Sequence, residues 1–517
     1  MSDIVDQSLG KIARGTGAVS FGMAVVILSG FLCRVLLARF FTTSEYGIYS
    51  LAIVLLNILV IFTMLGLHEG LARQIAYYRG RGDDPKVGGV IASSLQIAIV
   101  ASVLVSLTIF FASDIIAIKA FHEPGLSTPL KIVSLALPFS VLMQMFAAVF
   151  RGFDEAKPKV YFDDLLRTGL FILLLLGVLL LHLPFLGAVF AFSASLIIGG
   201  IAFAIYTIKR APFSMKRASS LVSNSIHREM LLFSLPLVFV YTLNEIMQWT
   251  DTLIIGLLKT AYEVGLYNAA VPLAQFVQLI MGATVFIYKP VVTGLYSQGA
   301  LAEIKQIYQS LTRWVMLLVF PVFLVIFLFP KPVINIVFGQ EYVGASPALR
   351  ILALAFLSLP LLGPQGSTLM AMGKNNILMC VAAAGAIVNI VLNFILVPLV
   401  GIAGAATATL VSWGGVQLTD LIILYKMTGI HPFSKSYYLP MAISLAASLA
   451  VYFVVEHFLT VTFWMPPIIL IVFWMIYLLA TLLTRSFDEQ ALKLVLAAEK
   501  RTGMNLSPLK SILGRFI

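Results

Sequence analysis

Residues 45–52 read EYGIYSLA and residues 263–270 read EVGLYNAA, so Glu, Gly, Tyr and Ala recur in the same order 218 residues apart. Each copy lies between two long apolar runs. Ordered repeats at nearly constant spacing predict a chain with two related halves. Two further pairs repeat at nearly the same spacing: Leu130-Lys131-Ile132 with Leu349-Arg350-Ile351, and Pro184-x-x-Gly187 with Pro398-x-x-Gly401.

The composition indicates that the chain lies in a lipid bilayer. Of its 517 residues, 60% are hydrophobic and 11% are charged, and the mean hydropathy is +1.01, whereas about a quarter of the residues in a soluble domain are charged. The long apolar runs lack the alternation of barrel strands, so they predict membrane-spanning helices. Fourteen spans are predicted, near residues 18–40, 46–69, 89–112, 130–150, 165–183, 186–208, 231–257, 265–288, 312–330, 348–371, 376–397, 401–425, 437–456 and 463–484.

The cations predict the orientation of these spans. Of the 34 Lys and Arg residues, 27 lie on the side that holds both termini, and two, Arg34 and Arg39, lie within the first span. By the positive-inside rule, both termini are expected to be cytoplasmic in a multi-pass protein of the cell membrane. The net charge of +11 therefore reflects topology and does not indicate a nucleic-acid partner. Five cations lie on the opposite side: Lys119, Lys131, Lys259, Lys331 and Arg350.

The predicted fold is an all-α polytopic membrane protein of about 14 transmembrane helices. It comprises two pseudo-symmetric six-helix lobes and two extra C-terminal helices. Cys33 and Cys380 both lie in apolar runs, which excludes a disulfide framework and a CxxC motif. The predicted divisions are an N-terminal lobe at 1–210, a cytoplasmic linker at 211–230, a C-terminal lobe at 231–430, spans 13 and 14 at 431–484, and a cytoplasmic amphipathic tail at 485–517.

Two motifs resemble one family of transporters. Leu37-Ala38-Arg39-Phe40-Phe41 followed by EYGIYS resembles the opening of the polysaccharide transporter branch (Wzx-type flippases) of the MOP exporter superfamily. Asp251-x-x-Ile254-Ile255-Gly256 and the GLY of residues 265–267 resemble its second-half signature. MurJ-like lipid II flippases and MATE exporters share the architecture. One departure is Phe41-Thr42, where the family often has Leu-Gly.

The resemblance implies a V-shaped, two-lobed transporter that carries a lipid-linked oligosaccharide from the inner to the outer leaflet by alternating access. The carrier would be a polyprenyl or dolichyl phosphate or pyrophosphate, and the product would serve cell-surface polysaccharide or glycoprotein synthesis. Expected partners are this substrate, membrane lipids and a glycan polymerase or transferase. No cofactor is expected, although a coupling Na⁺ or H⁺ remains open.

Two other functional classes, an antiporter and a glycosyltransferase, are alternatives to the flippase. A MATE-type cation-coupled drug or metabolite antiporter shares the fold, but it would have twelve spans and an acidic cavity. A membrane glycosyltransferase would need clustered acidic residues in an outer loop, and the outer segments carry only isolated carboxylates. The chain is therefore predicted not to be an enzyme.

Arginines are the predicted ligands of the anionic carrier, because guanidinium binds phosphate well and a charge within a span is costly unless it functions. Arg34, Arg39 and Arg73 are the candidates for substrate phosphate binding. For Arg34 a permanent interhelical pair is the alternative, and for Arg39 it is snorkelling to headgroups. For Arg73 the alternative is an ion pair with Glu69, four residues earlier.

Asp251 and Glu245, in predicted span 7, are candidates for a gate or a coupling-ion site. The repeat places Arg34 opposite position 252, so an Arg34–Asp251 pair that closes the outer side is predicted. Permanent neutralisation of the two charges is the alternative. The scattered histidines predict no metal site. Polar side chains within spans could face the glycan or bond between helices: Tyr241, Asn244, Gln248, Trp249, Asn389 and Asn393.

Overall fold

A computed structural model of the chain describes residues 27–64, 66–155, 157–210, 247–458, 465–484 and 486. All regular secondary structure in these residues is helical, and 11 helices are long and apolar enough to cross a membrane. The all-α polytopic prediction is therefore confirmed. Predicted spans 1 and 7 extend into residues outside the described part, and predicted span 5 has an α-helix of only 13 residues, so the described residues do not test the count of fourteen.

The residues of Val26–Asn268 form one compact unit, called unit A here. Within it α4 packs on α5, and α5 packs on α3 and α7. The helices of unit A are α1 (27–40), α2 (Thr43–Met64), α3 (Leu67–Gly80), α4 (Asp84–Ile115), α5 (Ser127–Gly152), α6 (Thr168–Leu180), α7 (Leu186–Arg210), α8 (247–258) and the first turns of α9 (Ala261–Ser297). A π-helical turn, Ile116–Ala120, extends α4, and a longer π-helical segment, Val160–Arg167, precedes α6.

A stripe of small polar residues decides which face of α4 is buried. Ser94, Ser102 and Ser106 are buried, whereas Leu104 and Phe111 on other faces are exposed. Ser106 Oγ donates to the Ser134 carbonyl of α5 at 2.6 Å. In a bilayer, large apolar side chains gain little from leaving lipid, so close packing of small residues and interhelical hydrogen bonds direct association.

The rest of the described chain, from Ala269 onward, belongs to a second compact unit, unit B. Its most extensive helix contacts are those of α15 with α14 and with α12. The helices of unit B are the remainder of α9, α10 (Leu301–Leu328), α11 (Pro330–Val337), α12 (Ser346–Leu362), α13 (Gln365–Ala371), α14 (Asn375–Val400), α15 (Ile402–Thr428), α16 (Lys435–Phe458) and α17 (Met465–Leu483).

The boundary between the two units falls inside a helix. It lies at residues 268–269, within α9, so the described part of predicted span 7, residues 247–257, belongs to unit A. The predicted linker at 211–230 and almost all of the predicted amphipathic tail lie outside the described residues. The predicted lobe limits therefore stay predictions.

Predicted span 10 is interrupted near its C-terminal end. Gly363 has a φ of 92° and is followed by Pro364, so α12 ends at Leu362 and α13 begins at Gln365. Glycine adopts a positive φ without steric cost, and proline cannot continue the helical hydrogen bonds. Side chains satisfy the released carbonyls, as the apolar surroundings require. These bonds are Tyr437 Oη to Leu361 O (2.6 Å) and Tyr308 Oη to Leu362 O (2.5 Å). The Pro364 carbonyl accepts from the Thr368 N–H of α13 at 2.9 Å and from Thr368 Oγ1 at 2.9 Å.

Replacement of Tyr308 by Phe should destabilise the protein. It removes the hydroxyl that satisfies the Leu362 carbonyl, and an unsatisfied buried acceptor costs about 1–3 kcal/mol. Thermal unfolding in detergent, followed by size-exclusion retention, should show a Tm several degrees below wild type. Tyr425→Phe is the matched control, since Tyr425 is exposed. Equal Tm values for the two variants would contradict the role given to Tyr308.

Candidate functional site

Each copy of the sequence repeat begins a helix in the same way. The Thr42 N–H donates to Glu45 Oε2 at 2.9 Å, and the Glu45 N–H donates to Thr42 Oγ1 at 3.3 Å. In the second copy, the Thr260 N–H donates to Glu263 Oε2 at 3.2 Å. Threonine followed three residues later by glutamate is a capping box, which satisfies the free N–H groups at a helix start. The repeated glutamates therefore define the starts of α2 and α9.

The repeated glycines bring these two helix starts into direct backbone contact. A Cβ placed on Gly47 would overlap the Ala261 carbonyl, and a Cβ placed on Gly265 would overlap the Thr43 carbonyl. The 218-residue repeat converts one contact into the other, since Gly47 corresponds to Gly265 and Thr43 to Ala261, so the crossing of α2 and α9 is locally two-fold symmetric. Only glycine permits such an approach, which is how small residues join membrane helices.

A buried polar network surrounds this glycine crossing. Tyr46 Oη donates to the Asn268 carbonyl at 3.2 Å, and Asn268 Nδ2 donates to Thr252 Oγ1 at 3.2 Å. Tyr267 Oη donates to Asp251 Oδ2 at 2.5 Å. The network connects α2, α8 and the first turns of α9 within unit A. Asp251, the predicted gate residue, therefore has a tyrosine partner, and its predicted pairing with Arg34 stays a prediction.

Arg34 lies on the protein-facing side of α1. Ala38, one turn further on, is buried, whereas Arg39 and Phe40 are exposed. Arg34 lies within electrostatic range of Tyr46 and Tyr49 of α2. Arg34 is therefore near polar side chains of the unit, while the exposed position of Arg39 suits headgroup snorkelling.

Arg167 is a second arginine of unit A, and it was not among the residues predicted to bind phosphate. It ends the π-helical segment before α6 and is about three-quarters buried, with Nε 2.9 Å from Asp163 Oδ1. Arg167 and Arg34 both lie within electrostatic range of Tyr49 and of Cys33. The contact between Asp163 and Arg167 is local in sequence, but only the packing of the helices places Arg167 near Arg34.

Arg73 is exposed on α3. The expected partner of Arg73, Glu69, instead contacts Arg151 at the C-terminal end of α5, with Arg151 Nη2 2.8 Å from Glu69 Oε1. Arg151 also donates to the His68 carbonyl at 3.2 Å. The sequence spacing was compatible with a pair within one helix, but the structure uses the carboxylate to join two helices. The role of Arg73 in phosphate binding stays a prediction.

The predicted glycan-facing residues occupy different environments. Gln248 is exposed on α8 and Trp249 is half-buried. Asn389 and Asn393 are buried on α14, where Asn389 Nδ2 donates to Ser412 Oγ of α15 at 3.1 Å and Asn393 Nδ2 donates to the Asn389 carbonyl. A role for any of them in contacting glycan stays a prediction. Tyr241, Asn244 and Glu245 lie outside the described residues.

The sequence matches two protein families and is similar to individual membrane transport proteins. The family described as "Polysaccharide biosynthesis protein" matches residues 12–291, and the MatE family matches residues 236–395. The chain is 21% identical to a putative O-antigen transporter of Shigella flexneri over 416 residues, covering 78% of the chain and 94% of that protein. It is 31% identical over 165 residues to a probable low-salt glycan biosynthesis flippase, Agl15, of Haloferax volcanii, covering 32% of the chain and 35% of that protein.

A solved structure of the lipid II flippase MurJ in an inward closed conformation has a similar fold. The TM-score is 0.69 at 15% sequence identity, and the match covers 90% of the chain and 98% of that structure. At this identity the likeness concerns the fold alone. It agrees with the helical architecture predicted from the apolar runs and the repeat.

Replacement of Gly265 by Ala should destabilise the protein, because the new methyl group would overlap the Thr43 carbonyl. Overpacking of this kind costs about 1–3 kcal/mol. Thermal unfolding in detergent should show a lowered Tm, and Gly47→Ala should behave alike. Gly282→Ala, in the same helix α9 with open space around the position, should leave the Tm equal or higher. A Gly265→Ala protein as stable as the Gly282→Ala protein would refute the close crossing.

Proposed function

The chain belongs to the polysaccharide biosynthesis protein family, and we propose that it is a flippase that translocates a lipid-linked glycan across the membrane in which its helices lie. The family match covers more than half of the 517 residues. The relatives named an O-antigen transporter and a glycan biosynthesis flippase support the same cargo class. A flippase makes and breaks no covalent bond, so its work is to lower the barrier for a polar headgroup in an apolar medium.

The observation that carries the proposal is that two arginines, Arg34 and Arg167, both lie within electrostatic range of Tyr49 in a unit made of apolar helices. Two guanidinium groups offer several N–H donors and positive charge to a phosphate or pyrophosphate. Cations within membrane helices are costly to keep, which favours a functional reason for them. We propose that these two arginines bind the phosphate portion of the carrier, while the lipid tail remains in the bilayer.

The direction and the location are parts of the proposal. The charge distribution supports cytoplasmic termini, and glycans assembled on the cytoplasmic side would then move from the inner to the outer leaflet of the cell membrane. Alternating access fits the two-fold sequence repeat. A glycan polymerase or transferase that takes up the product outside is the proposed partner.

A cation-coupled antiporter of the MATE type is the second candidate, and the match of the MatE family to residues 236–395 favours it. Such a protein would bind a cationic cargo through carboxylates. The arginines near Tyr49 favour an anionic cargo instead. Substrate tests can separate the two proposals, because only the antiporter should move a cationic dye.

Replacement of Arg34 or Arg167 by Ala should slow glycan translocation. Hydrogen bonds to charged groups contribute about 1.5–3 kcal/mol, which corresponds to about tenfold or more in rate. The measurement uses proteoliposomes that contain a fluorescent lipid-linked oligosaccharide and follows its accessibility to an external lectin. Each Arg→Lys variant keeps the charge and should retain more activity than the Ala variant.

Arg81→Ala is the matched control for the transport assay. Arg81 is exposed in the turn after α3 and stacks on Tyr77, so its removal should leave translocation unchanged. Unchanged translocation rates in both Arg34→Ala and Arg167→Ala would refute the proposed phosphate-binding role of these arginines. Extrusion of a cationic dye without glycan translocation would replace the flippase proposal by the antiporter.

The proposed orientation predicts which surface cysteines can be labelled. In a background with Cys33 and Cys380 replaced by Ala, Lys119→Cys should react with a membrane-impermeant maleimide on intact cells. Arg81→Cys should react only after permeabilisation. Both original side chains are exposed at ends of helices. The reverse labelling pattern would place the termini outside the cytoplasm.

A further inference from the structure

A buried carboxylate lies within α15, far from the arginines of unit A in sequence. Asp420 is only 4% exposed and belongs to Ile402–Thr428, a helix apolar enough to span the membrane. With a rise of 1.5 Å per residue, it lies about 27 Å from the first residue of the helix and about 12 Å from the last. Its Oδ1 has no hydrogen-bond partner, and no ion pair with Asp420 is found in the described part of the chain. A bare charge in such a place is strongly disfavoured.

A second acceptor without a partner lies on the facing helix α13. Gln365 is fully buried, and its Nε2 donates to the carbonyl and to Oε1 of Gln417, both at 3.2 Å. The Oε1 of Gln365 itself has no partner. Gln417 precedes Asp420 by three residues, so the two share a face of α15. The amide of Gln365 therefore lies beside the helical turn that carries the carboxylate.

Gly366 allows the two elements to approach at this point. A Cβ placed on Gly366 would lie 3.3 Å from Asp420 Oδ2. Any larger side chain at position 366 would occupy the space beside the carboxylate. The result is a small buried site in unit B, formed by Asp420, Gln365, Gln417 and Gly366, in which Asp420 Oδ1 and Gln365 Oε1 are two acceptors without a partner.

One proton would satisfy both acceptors. Two oxygen acceptors cannot bond to each other, whereas a protonated carboxyl group donates to an amide carbonyl oxygen. We propose that Asp420 is a proton-binding site and that its protonated carboxyl donates to Gln365 Oε1, which fastens α13 to α15. The proposal rests on the proposed flippase function for its purpose, since proton binding here would couple glycan translocation to a proton gradient.

The surroundings favour a proton over a metal cation. A hard cation needs several oxygen ligands, and the nearby backbone oxygens of the helix break, at Leu361, Leu362 and Pro364, already accept hydrogen bonds. No group of three or more His, Cys, Asp or Glu residues able to hold a metal occurs among the residues that the structure describes. Two acceptors without partners are too few for Na⁺.

Among the described residues, no titratable group bonds to Asp420 Oδ1. α12, α13 and α14 pack on α15, and α9 contacts α13 through the hydrogen bond between Tyr288 and Thr368. The described titratable groups on or beside these elements in unit B are Tyr288, Lys289, Tyr296, Tyr308, Arg350, Lys374, Cys380, Tyr425, Lys426 and Tyr437. Within the part of the chain that the structure describes, protonation of Asp420 itself is therefore the available means of neutralising it.

The location gives the proton a mechanical consequence. Gln365 is the first residue of α13, directly after the interruption at Gly363 and Pro364. Loss of the proton would leave a charged carboxylate facing an acceptor, which repels α13 and admits water. The proton would thus control a short helix that the break already separates from α12.

Infrared difference spectroscopy on the purified protein tests proton binding without any transport. Wild type should show the carbonyl-stretch band of a protonated carboxylic acid that disappears as the pH rises. Asp420→Asn should lack the band, because asparagine has no carboxyl group; its amide would donate to Gln365 Oε1 at every pH. Gln365→Met should keep the band but shift it to higher frequency, because the acceptor is lost. Asp84→Asn, at an exposed position, is the control and should match wild type.

A transport assay in proteoliposomes tests the coupling. A pH gradient of one unit should shift the final transbilayer distribution of lipid-linked glycan in wild type by up to about tenfold for one coupled proton. Asp420→Asn should still equilibrate the glycan, with no shift. Asp84→Asn should respond as wild type does.

The outcomes separate this proposal from the proposed function. Absence of an Asp420-dependent carboxylic acid band overturns the proton site, and a glycan distribution that follows a Na⁺ gradient but not a pH gradient overturns the coupling. If Asp420→Asn does not fold, the frequency shift in Gln365→Met decides the question in its place. A band that titrates as expected in a protein that moves no glycan supports the proton site and refutes the flippase function.

Discussion

The contact between the starts of α2 and α9 is the constraint on which the rest of unit A depends. Gly47 and Gly265 each lie against a backbone carbonyl of the other helix, at Ala261 and Thr43. No side chain larger than hydrogen fits at either glycine without moving the backbone. This contact brings Tyr46 and Tyr267 into the buried network that includes Asp251. The capping boxes make the geometry reproducible, because they define where each helix begins.

The bilayer imposes a second constraint, since polar groups must find partners within the protein. The structure meets it even where a helix is interrupted: Tyr308 and Tyr437 donate to carbonyls released beside Gly363. Buried polar atoms that lack a hydrogen-bond partner are therefore informative. Asp420 and Gln365 are among the described residues that retain a buried polar atom without a partner, and the nearness of these two acceptors on facing helices points to a proton.

Much of the fold could be predicted because its signals are local in sequence. A run of apolar residues predicts a membrane helix wherever it occurs, and the predicted spans coincide with helices in most of the described chain. The predictions were weaker where a local rule competes with packing. Glu69 and Arg73 have the spacing of a helical ion pair, yet Glu69 contacts Arg151 of α5. Residues 348–371 were predicted as one continuous span, yet Gly363 and Pro364 interrupt it.

The sequence by itself determined the membrane environment, the helical class, the two-fold repeat and the family, because composition, periodicity and motif order do not depend on which helix faces meet. Only the tertiary structure decided that the repeated glycines contact each other's helix, that Arg34 and Arg167 both lie within electrostatic range of Tyr49 and that Gln365 lies beside the helical turn of Asp420. Each of these pairs is separated by tens to hundreds of residues. Their proximity follows from the packing of several helices at once, which no single segment of the chain contains.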